Sequence, residues 1–241
     1  MGSSNSLRYN VHVQDRRGKY GLDAPWAFAG LVVGTILLLA LAVVSFGFRI
    51  LVTGVAFTAG ALYTLASAAS HLYTARRGRF AVWEGELARL KGDEDVLDLG
   101  SGRGALLVLA ARRLTTGHAI GVDSSDPAPA RVNAEAEGVP AGLVTARLAA
   151  LPFPDDRFDV VLSALALHRL PAADRDGAVR EAYRVLRPGG LLLLADVRHI
   201  AEYENTLRAA GGRDVRARDL GWRHWYGGPW ARTWVVEAVK P

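Results

Sequence analysis

The chain has 241 residues, a formal net charge of +5 and no cysteine. The lack of cysteine excludes disulfides, thiolate zinc sites, cysteine nucleophiles and cysteine-ligated iron–sulfur clusters, and no other metal site is predicted. The length allows one α/β domain plus an appendage. Much of the positive charge flanks two apolar segments, and no aromatic–basic motif is present, so the sequence does not predict a nucleic-acid partner.

Two long apolar segments stand near the N-terminus. Residues 26–48 and 50–75 contain no Asp, Glu, Lys or Arg, and Arg49 separates them. At about 1.5 Å per residue, each helix would be long enough to cross a hydrocarbon core of about 30 Å. The first segment is too long, and follows too much polar sequence, to be a cleaved signal peptide. The sequence therefore predicts a two-helix transmembrane hairpin over residues 26–75, and a hairpin buried in a soluble core is the alternative.

Basic residues flank both ends of this hairpin. They are Arg8, Arg16, Arg17 and Lys19 before it and Arg76, Arg77 and Arg79 after it. The positive-inside rule then places both ends in the cytoplasm and the tip outside. This orientation predicts an integral membrane protein with residues 1–25 as a cytoplasmic tail and a cytoplasmic catalytic domain. The apolar surface of the hairpin could face lipid or a second copy, so a homodimer through the hairpin is an alternative to full lipid exposure.

Residues 76–94 are predicted to be a juxtamembrane helix and linker. We expect residues 76–90 to continue the second span as an amphipathic helix. Phe80 and Trp83 are predicted to lie at the membrane interface, where aromatic side chains are favoured. His71 is expected at the same level.

Residues 95–241 alternate between apolar strands and amphipathic helices. The predicted strands are residues 95–99, 119–123, 143–147, 158–163, 190–196, 214–220 and 231–239. The predicted helices are residues 104–114, 129–137, 172–186 and 200–210. The nearly continuous apolar character of the first five strands is typical of a parallel sheet that is covered on both faces.

A glycine-rich turn follows the first of these strands. Gly100, Gly102 and Gly104 allow the backbone to approach a ligand closely and to adopt positive φ angles. Asp123, at the end of the next strand, is placed to accept hydrogen bonds from a ribose diol. The pattern therefore predicts a cofactor that contains a nucleoside.

Two cofactor classes compete for this turn. Gly100, Gly102 and Ala105 also fit the loose dinucleotide fingerprint, in which a pyrophosphate lies over the turn. The carboxylate of Asp98 would repel a pyrophosphate, whereas it suits the ammonium and sulfonium groups of S-adenosylmethionine. The residues favour S-adenosylmethionine, and an NAD(P)-dependent oxidoreductase is the alternative.

The chain resembles the class I S-adenosylmethionine-dependent methyltransferases from about residue 95 to residue 241. Four segments carry the resemblance, in the order and spacing of that family: residues 96–104, 120–123, 151–161 and 183–193. The resemblance implies an α/β fold, a seven-stranded and mostly parallel Rossmann-like sheet with an antiparallel C-terminal hairpin. It also implies S-adenosylmethionine as the cofactor.

The resemblance further implies a set of cofactor-binding residues. These are Asp98, Gly100, Ser101, Gly102, Gly104, Asp123, Ser124, Leu148, Ala149, Ser163 and Ala164. One position departs from the family pattern: Arg147 stands where many members have an acidic residue that meets the adenine amine. Adenine recognition is therefore expected to depend on backbone groups near Leu148 and Ala149.

The substrate is expected beyond the carboxyl ends of the strands, as in other open α/β sheets. The predicted walls are residues 163–168, residues 196–199 and the aromatic loop 222–230. Methyl transfer needs mainly alignment, so a general base is required only where the acceptor loses a proton. His168, His199 and His224 are the candidates, because histidine titrates near neutrality. The aromatic loop could line a pocket, dock at lipid headgroups or pack on the sheet.

The sequence as a whole predicts a membrane-anchored methyltransferase acting on a hydrophobic small molecule such as a lipid, quinone or isoprenoid. Two spans are a costly addition for an enzyme with freely soluble substrates. Three alternatives are open: a methyltransferase of soluble molecules that the hairpin only anchors, the oxidoreductase above, and a non-catalytic scaffold that binds the cofactor.

Overall fold

The computed structural model describes residues 16–241. The predictions that involve Arg8 and the rest of residues 1–15 lie outside the described residues.

The described chain begins with two long helices and continues into an α/β domain. The α-helices are α1 (Pro25–Gly47), α2 (Leu51–Tyr73), α3 (Arg79–Glu86), α4 (Ala105–Ala111), α5 (Ala128–Glu137), α6 (Ala172–Arg184) and α7 (Ile200–Ala209). The strands are β1 (Asp95–Leu99), β2 (His118–Asp123), β3 (Gly142–Thr145), β4 (Phe158–Ala164), β5 (Leu186–Asp196), β6 (Arg213–Asp219) and β7 (Trp234–Val239).

The seven strands form one sheet in the order β3-β2-β1-β4-β5-β7-β6. Strands β3, β2, β1, β4 and β5 are parallel, whereas β7 is antiparallel to both β5 and β6. The predicted Rossmann-like sheet with an antiparallel C-terminal hairpin is confirmed. Because the parallel strands end at one edge, the turns after β1, β2 and β4 lie together there.

Helices cover both faces of the sheet. One core cluster packs α6 and α7 against the sheet, with Val179, Tyr203 and Leu207 fully buried. The other cluster packs α3 and α4 against the opposite face through residues such as Trp83 and Leu106. The central strands are buried on both sides, which explains why their sequences are apolar without alternation.

Helices α1 and α2 pack against each other as an antiparallel pair. Each has 23 residues, about 34 Å at 1.5 Å per residue. Small residues lie between them, including Ala42, Gly54 and Ala61, and the hydroxyls of Thr35 and Thr64 are 2.8 Å apart. Both helices are long and apolar enough to cross a membrane, which is a statement about length and composition.

Large apolar side chains cover the outer surface of this pair. Examples are Ile36, Val43 and Val52, which are 60%, 72% and 82% exposed. In water such a surface is unfavourable, and lipid or another apolar surface would cover it.

The segment after α2 continues the helix through a π-helical turn, Thr74–Gly78, into α3 and a 3₁₀ turn, Leu87–Arg89. Phe80 and Trp83 are 4% and 3% exposed and pack on the sheet, so their predicted location at the membrane interface was wrong. The amphipathic pattern was correct, but its apolar face contacts protein. Arg79 is likewise buried and paired with Asp23, so it is not a free juxtamembrane cation.

The aromatic loop 222–230 packs along α2. Trp222 stacks on Tyr73 with ring centroids 5.4 Å apart, and Trp230 stacks on Tyr63 at 4.8 Å. The hydroxyls of Ser70 and Thr74 both donate to the main-chain oxygen of Trp225, which extends this contact. The loop therefore joins the α/β domain to the second long helix.

Candidate active site

A cavity of about 490 Å³ lies at the carboxyl ends of the parallel strands. One side is formed by the glycine-rich turn, with Asp98, Gly100 and Gly102. The opposite side lies at the base of the helical pair. It is formed by Asp23, which precedes α1, by Arg79 at the start of α3, and by their neighbours. Its position beyond the strand ends is where open α/β sheets bind ligands.

The glycine-rich turn connects β1 to α4 in a backbone conformation that favours glycine. Gly100, Gly102 and Gly104 have φ angles of +79°, +51° and +76°. A Cβ at Gly100 would lie 2.2 Å from the Cβ of Ala166, so a side chain does not fit there. The main-chain N–H groups of Gly100 and Ser101 both donate to the oxygen of Val122, which ties the turn to β2.

Asp98 lies on β1, buried at the edge of the cavity, with 2% of its surface exposed. Its Oδ2 has no hydrogen-bond partner in the described chain. Burial raises the pKa of Asp98 to about 7, and the nearby carboxylate of Asp123 acts in the same direction. A buried carboxylate with an unpaired oxygen fits a cationic group, such as the ammonium of S-adenosylmethionine.

Asp123 holds the turn at the end of β2. Its Oδ2 accepts a hydrogen bond from Gly102 N (2.9 Å), and its Oδ1 accepts from Ser125 N (2.9 Å) and Ser125 Oγ (2.6 Å). Burial raises the pKa of Asp123, but the hydrogen bonds from Ser125 and Gly102 outweigh it and the pKa is lowered. The carboxylate is therefore ionised at neutral pH and can accept hydrogen bonds from a ribose.

Replacing Asp123 with Ala is expected to weaken cofactor binding by roughly 1–3 kcal/mol, since hydrogen bonds to a charged acceptor are lost. Part of the loss comes from freeing the Gly102 N–H, which Asp123 holds. Titration calorimetry with S-adenosylmethionine measures the effect. An unchanged affinity would refute the assignment of the ribose to Asp123.

The other predicted cofactor residues divide into two groups. Ser101, Ser124, Leu148 and Ala164 line the cavity. Gly104, Ala149 and Ser163 lie next to it instead: Ser163 donates to the main-chain oxygen of Leu99 at 2.7 Å, and a Cβ on Gly104 would contact Ala130 at 3.2 Å. Arg147 is exposed and paired with Asp174 at 2.9 Å.

The N-terminal segment 18–25 lies across the cavity, which the sequence did not predict for the tail. Asn133 on α5 accepts from Lys19 N at 2.7 Å, and Glu137 accepts from Gly18 N at 2.9 Å. Tyr20 packs edge-on against Phe80 with centroids 5.3 Å apart. The residues between this anchor and α1, including Leu22 and Asp23, line the cavity.

The structure does not bring the three candidate histidines together. His168 lies outside the cavity: its main-chain N donates to Asp196 Oδ2 at 2.9 Å, and its Nδ1 is 2.6 Å from Asp196 Oδ1. His199 lies near the surface, 2.8 Å from Glu202. Asp196 also accepts from the main-chain N of Val197 at 2.8 Å, so its carboxylate caps the turn after β5.

His224 is the one of the three that lines the cavity. It is 1% exposed, and neither ring nitrogen has a hydrogen-bond partner in the described chain. Burial lowers the pKa of His224 to about 4, so the ring is neutral at physiological pH.

Sequence reasoning did not identify four cavity residues on the helical side. They are Tyr20, Asp23, Arg79 and Trp83, whereas Tyr226 belongs to the aromatic loop that was predicted as a wall. One signal was present for α3: Phe80, Trp83 and Leu87 recur at spacings of three and four, which marks a buried face. Arg79 adjoins that face, and a charged residue beside a buried stripe indicates a polar partner in the interior.

Comparison with known proteins agrees with this fold. Residues 96–190 match the family model described as a methyltransferase domain. This match covers the glycine-rich turn and strands β1 to β4. The fold and the glycine-rich turn agree with a Rossmann-like methyltransferase domain, and S-adenosylmethionine is the cofactor that such a domain implies.

Curated relatives match part of the chain. A demethylmenaquinone methyltransferase of Thermus thermophilus is 38% identical over 113 residues, which are 46% of this chain and 50% of that protein. An arsenite methyltransferase of Halobacterium salinarum is 35% identical over 127 residues, 50% and 32% of the two chains. A probable phthiotriol/phenolphthiotriol dimycocerosates methyltransferase of Mycobacterium ulcerans is 44% identical over 73 residues, 29% and 28%. The chain therefore spans about half or less of each of these relatives.

Solved structures share the fold. A SAM-dependent methyltransferase from Aquifex aeolicus has a TM-score of 0.54 and 20% identity, covering 66% of this chain and 89% of that one. The cyclase SpnF has a TM-score of 0.57 and 23% identity, covering 67% and 81%. Because one of these is described as a cyclase, the fold by itself does not determine the reaction.

Proposed function

We propose that the protein is a membrane-anchored, S-adenosylmethionine-dependent methyltransferase whose acceptor is a hydrophobic small molecule. The observation that carries this proposal is the composition of the cavity wall. The cofactor turn contributes Asp98 and Gly100, and the start of the first long helix contributes Ala24 and Pro25. The cofactor site and the proposed membrane anchor therefore border one space.

Three features support the membrane part of the proposal. The exposed surface of α1 and α2 is apolar. Exposed Arg76 and Arg77 follow α2, so the positive-inside rule favours a cytoplasmic domain. Trp230 stacks on Tyr63, which lies ten residues before the end of α2. The aromatic loop therefore extends about 15 Å along α2 from the C-terminal end of that helix. This would place the loop at the membrane surface or partly within it.

The chain's own residues would hold and orient the cofactor. Asp98 would pair with the ammonium group and Asp123 with the ribose. When bound, S-adenosylmethionine supplies an electrophilic methyl group on a sulfonium, which a nucleophilic acceptor atom displaces in line. The buried walls formed by Phe80 and Trp83 would exclude water and align the acceptor.

The names of the relatives support a methyltransferase and include quinone and lipid chemistry. They also include arsenite, which is polar. A methyltransferase of a soluble molecule, with the hairpin as an anchor only, is therefore the second candidate.

The test is transfer of labelled methyl groups from S-adenosylmethionine into an extract of the source cells, followed by partition between organic and aqueous phases. We expect enzyme-dependent label in the organic phase. Label confined to the aqueous phase would refute a lipid-like acceptor and leave the hairpin as an anchor. Absence of label in both phases, together with absence of cofactor binding, would refute the methyltransferase.

A further inference from the structure

A second group of polar side chains, two of them buried and two half-buried, lies on the helical side of the cavity, opposite the glycine-rich turn. Its members are Asp23, Arg79, His224 and Tyr226, and all four line the cavity. They come from three separate segments: the N-terminal segment 18–25, α3 and the aromatic loop. We call this group the polar cluster.

Asp23 fixes the arginine of the polar cluster. Its Oδ2 accepts a hydrogen bond from Arg79 Nη1 at 2.5 Å and another from the hydroxyl of Tyr226 at 2.6 Å. The main-chain oxygen of Asp23 lies 2.8 Å from Nε2 of His71 on α2. The guanidinium is therefore neutralised and held in one orientation, with two of its nitrogens left over.

Four nitrogens of the polar cluster have no hydrogen-bond partner in the described chain. Arg79 Nε and Nη2 are buried without a hydrogen bond, and so are both ring nitrogens of His224. Among the described residues, six side chains carry buried polar atoms with neither a hydrogen bond nor an ion pair, and four of them line this cavity: Arg79, Trp83, Asp98 and His224. Buried polar groups are nearly always paired, so such a concentration indicates a ligand.

Asp98 accounts for the cofactor's cation, but Arg79 and His224 lie outside the glycine-rich turn. We propose that Arg79 and His224 form the recognition site for the acceptor, and that the acceptor head group is a neutral aromatic or enolic hydroxyl. Arg79 donates to the hydroxyl oxygen and the neutral ring of His224 accepts its hydrogen. This inference rests on the proposed function and names its substrate class.

The charges and hydrogen-bonding groups of the cavity favour a neutral hydroxyl over a carboxylate or a cationic amine. The positive charge of Arg79 is already offset by Asp23, and the cavity as a whole is lined by three Asp and three Arg side chains, so no excess positive charge favours a carboxylate. A carboxylate also has no hydrogen to donate to the neutral ring of His224. A cationic amine would leave the Arg79 donors unpaired. A hydroxyl satisfies a donor and an acceptor together, and Trp83 offers an apolar wall for a ring.

The experiment compares two probes of similar size, 2-naphthol and 2-methylnaphthalene. Calorimetry measures their binding to the full chain in lipid nanodiscs saturated with S-adenosylhomocysteine. We expect 2-naphthol to bind at least tenfold more tightly than 2-methylnaphthalene. The variants Arg79→Lys, which keeps the charge beside Asp23, and His224→Phe, which keeps the aromatic packing, should each bring this ratio close to one while S-adenosylhomocysteine still binds.

Arg76→Met is the matched control for Arg79, because Arg76 is exposed and lies one turn earlier on the same continuous helix. Its ratio should equal that of the unmodified chain. A ratio near one in the unmodified chain with cofactor product bound would overturn the inference, as would an unchanged ratio in both variants. Failure of the proposed function is distinguishable from failure of this inference, because the protein would then bind neither S-adenosylhomocysteine nor S-adenosylmethionine.

Discussion

Replacing Asp98 with Asn is expected to weaken S-adenosylmethionine binding by roughly 10- to 150-fold, the equivalent of one charged hydrogen bond of about 1.5–3 kcal/mol. Asp98 is buried, and its Oδ2 has no protein partner, so the cofactor's ammonium would be its principal counter-charge. Asn keeps the shape of the side chain but removes the charge. Calorimetry at pH 8 measures the loss.

The same residue should make cofactor affinity depend on pH. Burial raises the pKa of Asp98 to about 7 in the ligand-free protein. A cation binds the ionised carboxylate, so the affinity should fall as the pH falls below about 7, by up to tenfold per pH unit. Asp98→Asn should remove this slope between pH 5.5 and 8. Equal slopes in the two proteins would contradict the pairing of Asp98 with a cation.

Asp98→Asn should also stabilise the ligand-free protein at pH 8. The pKa of Asp98 rises from an ordinary 3.8 to about 7 on folding, so the folded state holds a proton that the unfolded state releases between these values. The ionised carboxylate therefore costs stability as the pH rises, and the cost is complete above pH 7. Removing it should raise the free energy of unfolding by roughly 2–4 kcal/mol.

The control for both effects is Asp93→Asn, which neutralises an exposed carboxylate on the same approach to β1. It should change neither the cofactor affinity nor the unfolding midpoint. A higher midpoint in Asp98→Asn, combined with weaker binding, would indicate that Asp98 is kept for function at the expense of stability.

The sheet could be predicted from sequence because each strand and turn is specified by residues that are close together in the chain. Apolar runs such as residues 158–163 have the length and composition of buried strands, and glycine at positions 100, 102 and 104 marks backbone that other residues rarely adopt. Asp98 and Asp123 lie within one β-α-β unit, so their spacing alone brings them to the same edge of the sheet.

The other half of the cavity could not be predicted, because it depends on where separate segments meet. Nothing in the local sequence places Asp23 beside Arg79 and Tyr226, which are 56 and 203 residues away. The apolar stripe that contains Phe80 and Trp83 has the same sequence pattern whether it faces lipid or protein, so the pattern does not distinguish the two. The choice among the three histidines likewise depended on the path of the aromatic loop, which follows α2 and brings His224 inward.

Replacing Gly78 with Ala is expected to destabilise the protein by about 1–3 kcal/mol and to reduce acceptor methylation at least tenfold. Gly78 ends the π-helical turn before α3, and a Cβ there would lie 1.9 Å from the main-chain oxygen of Arg223. Backbone atoms cannot rotate away as a side chain can, so the turn Trp222–His224 must move. His224 would then leave its position in the polar cluster.

The two halves of the cavity should respond differently to this substitution. The glycine-rich turn does not contact Gly78, so the affinity for S-adenosylhomocysteine should stay within about threefold, while the preference for 2-naphthol should fall. Gly34→Ala is the matched control, since Gly34 is in the interior of α1 and has nothing within 4 Å of its added Cβ. The measurements are the thermal unfolding midpoint in nanodiscs and methyl transfer. Equal midpoints and equal transfer in the Gly78 and Gly34 variants would mean that the close contact between the linker helix and the aromatic loop does not hold the acceptor side of the site in place.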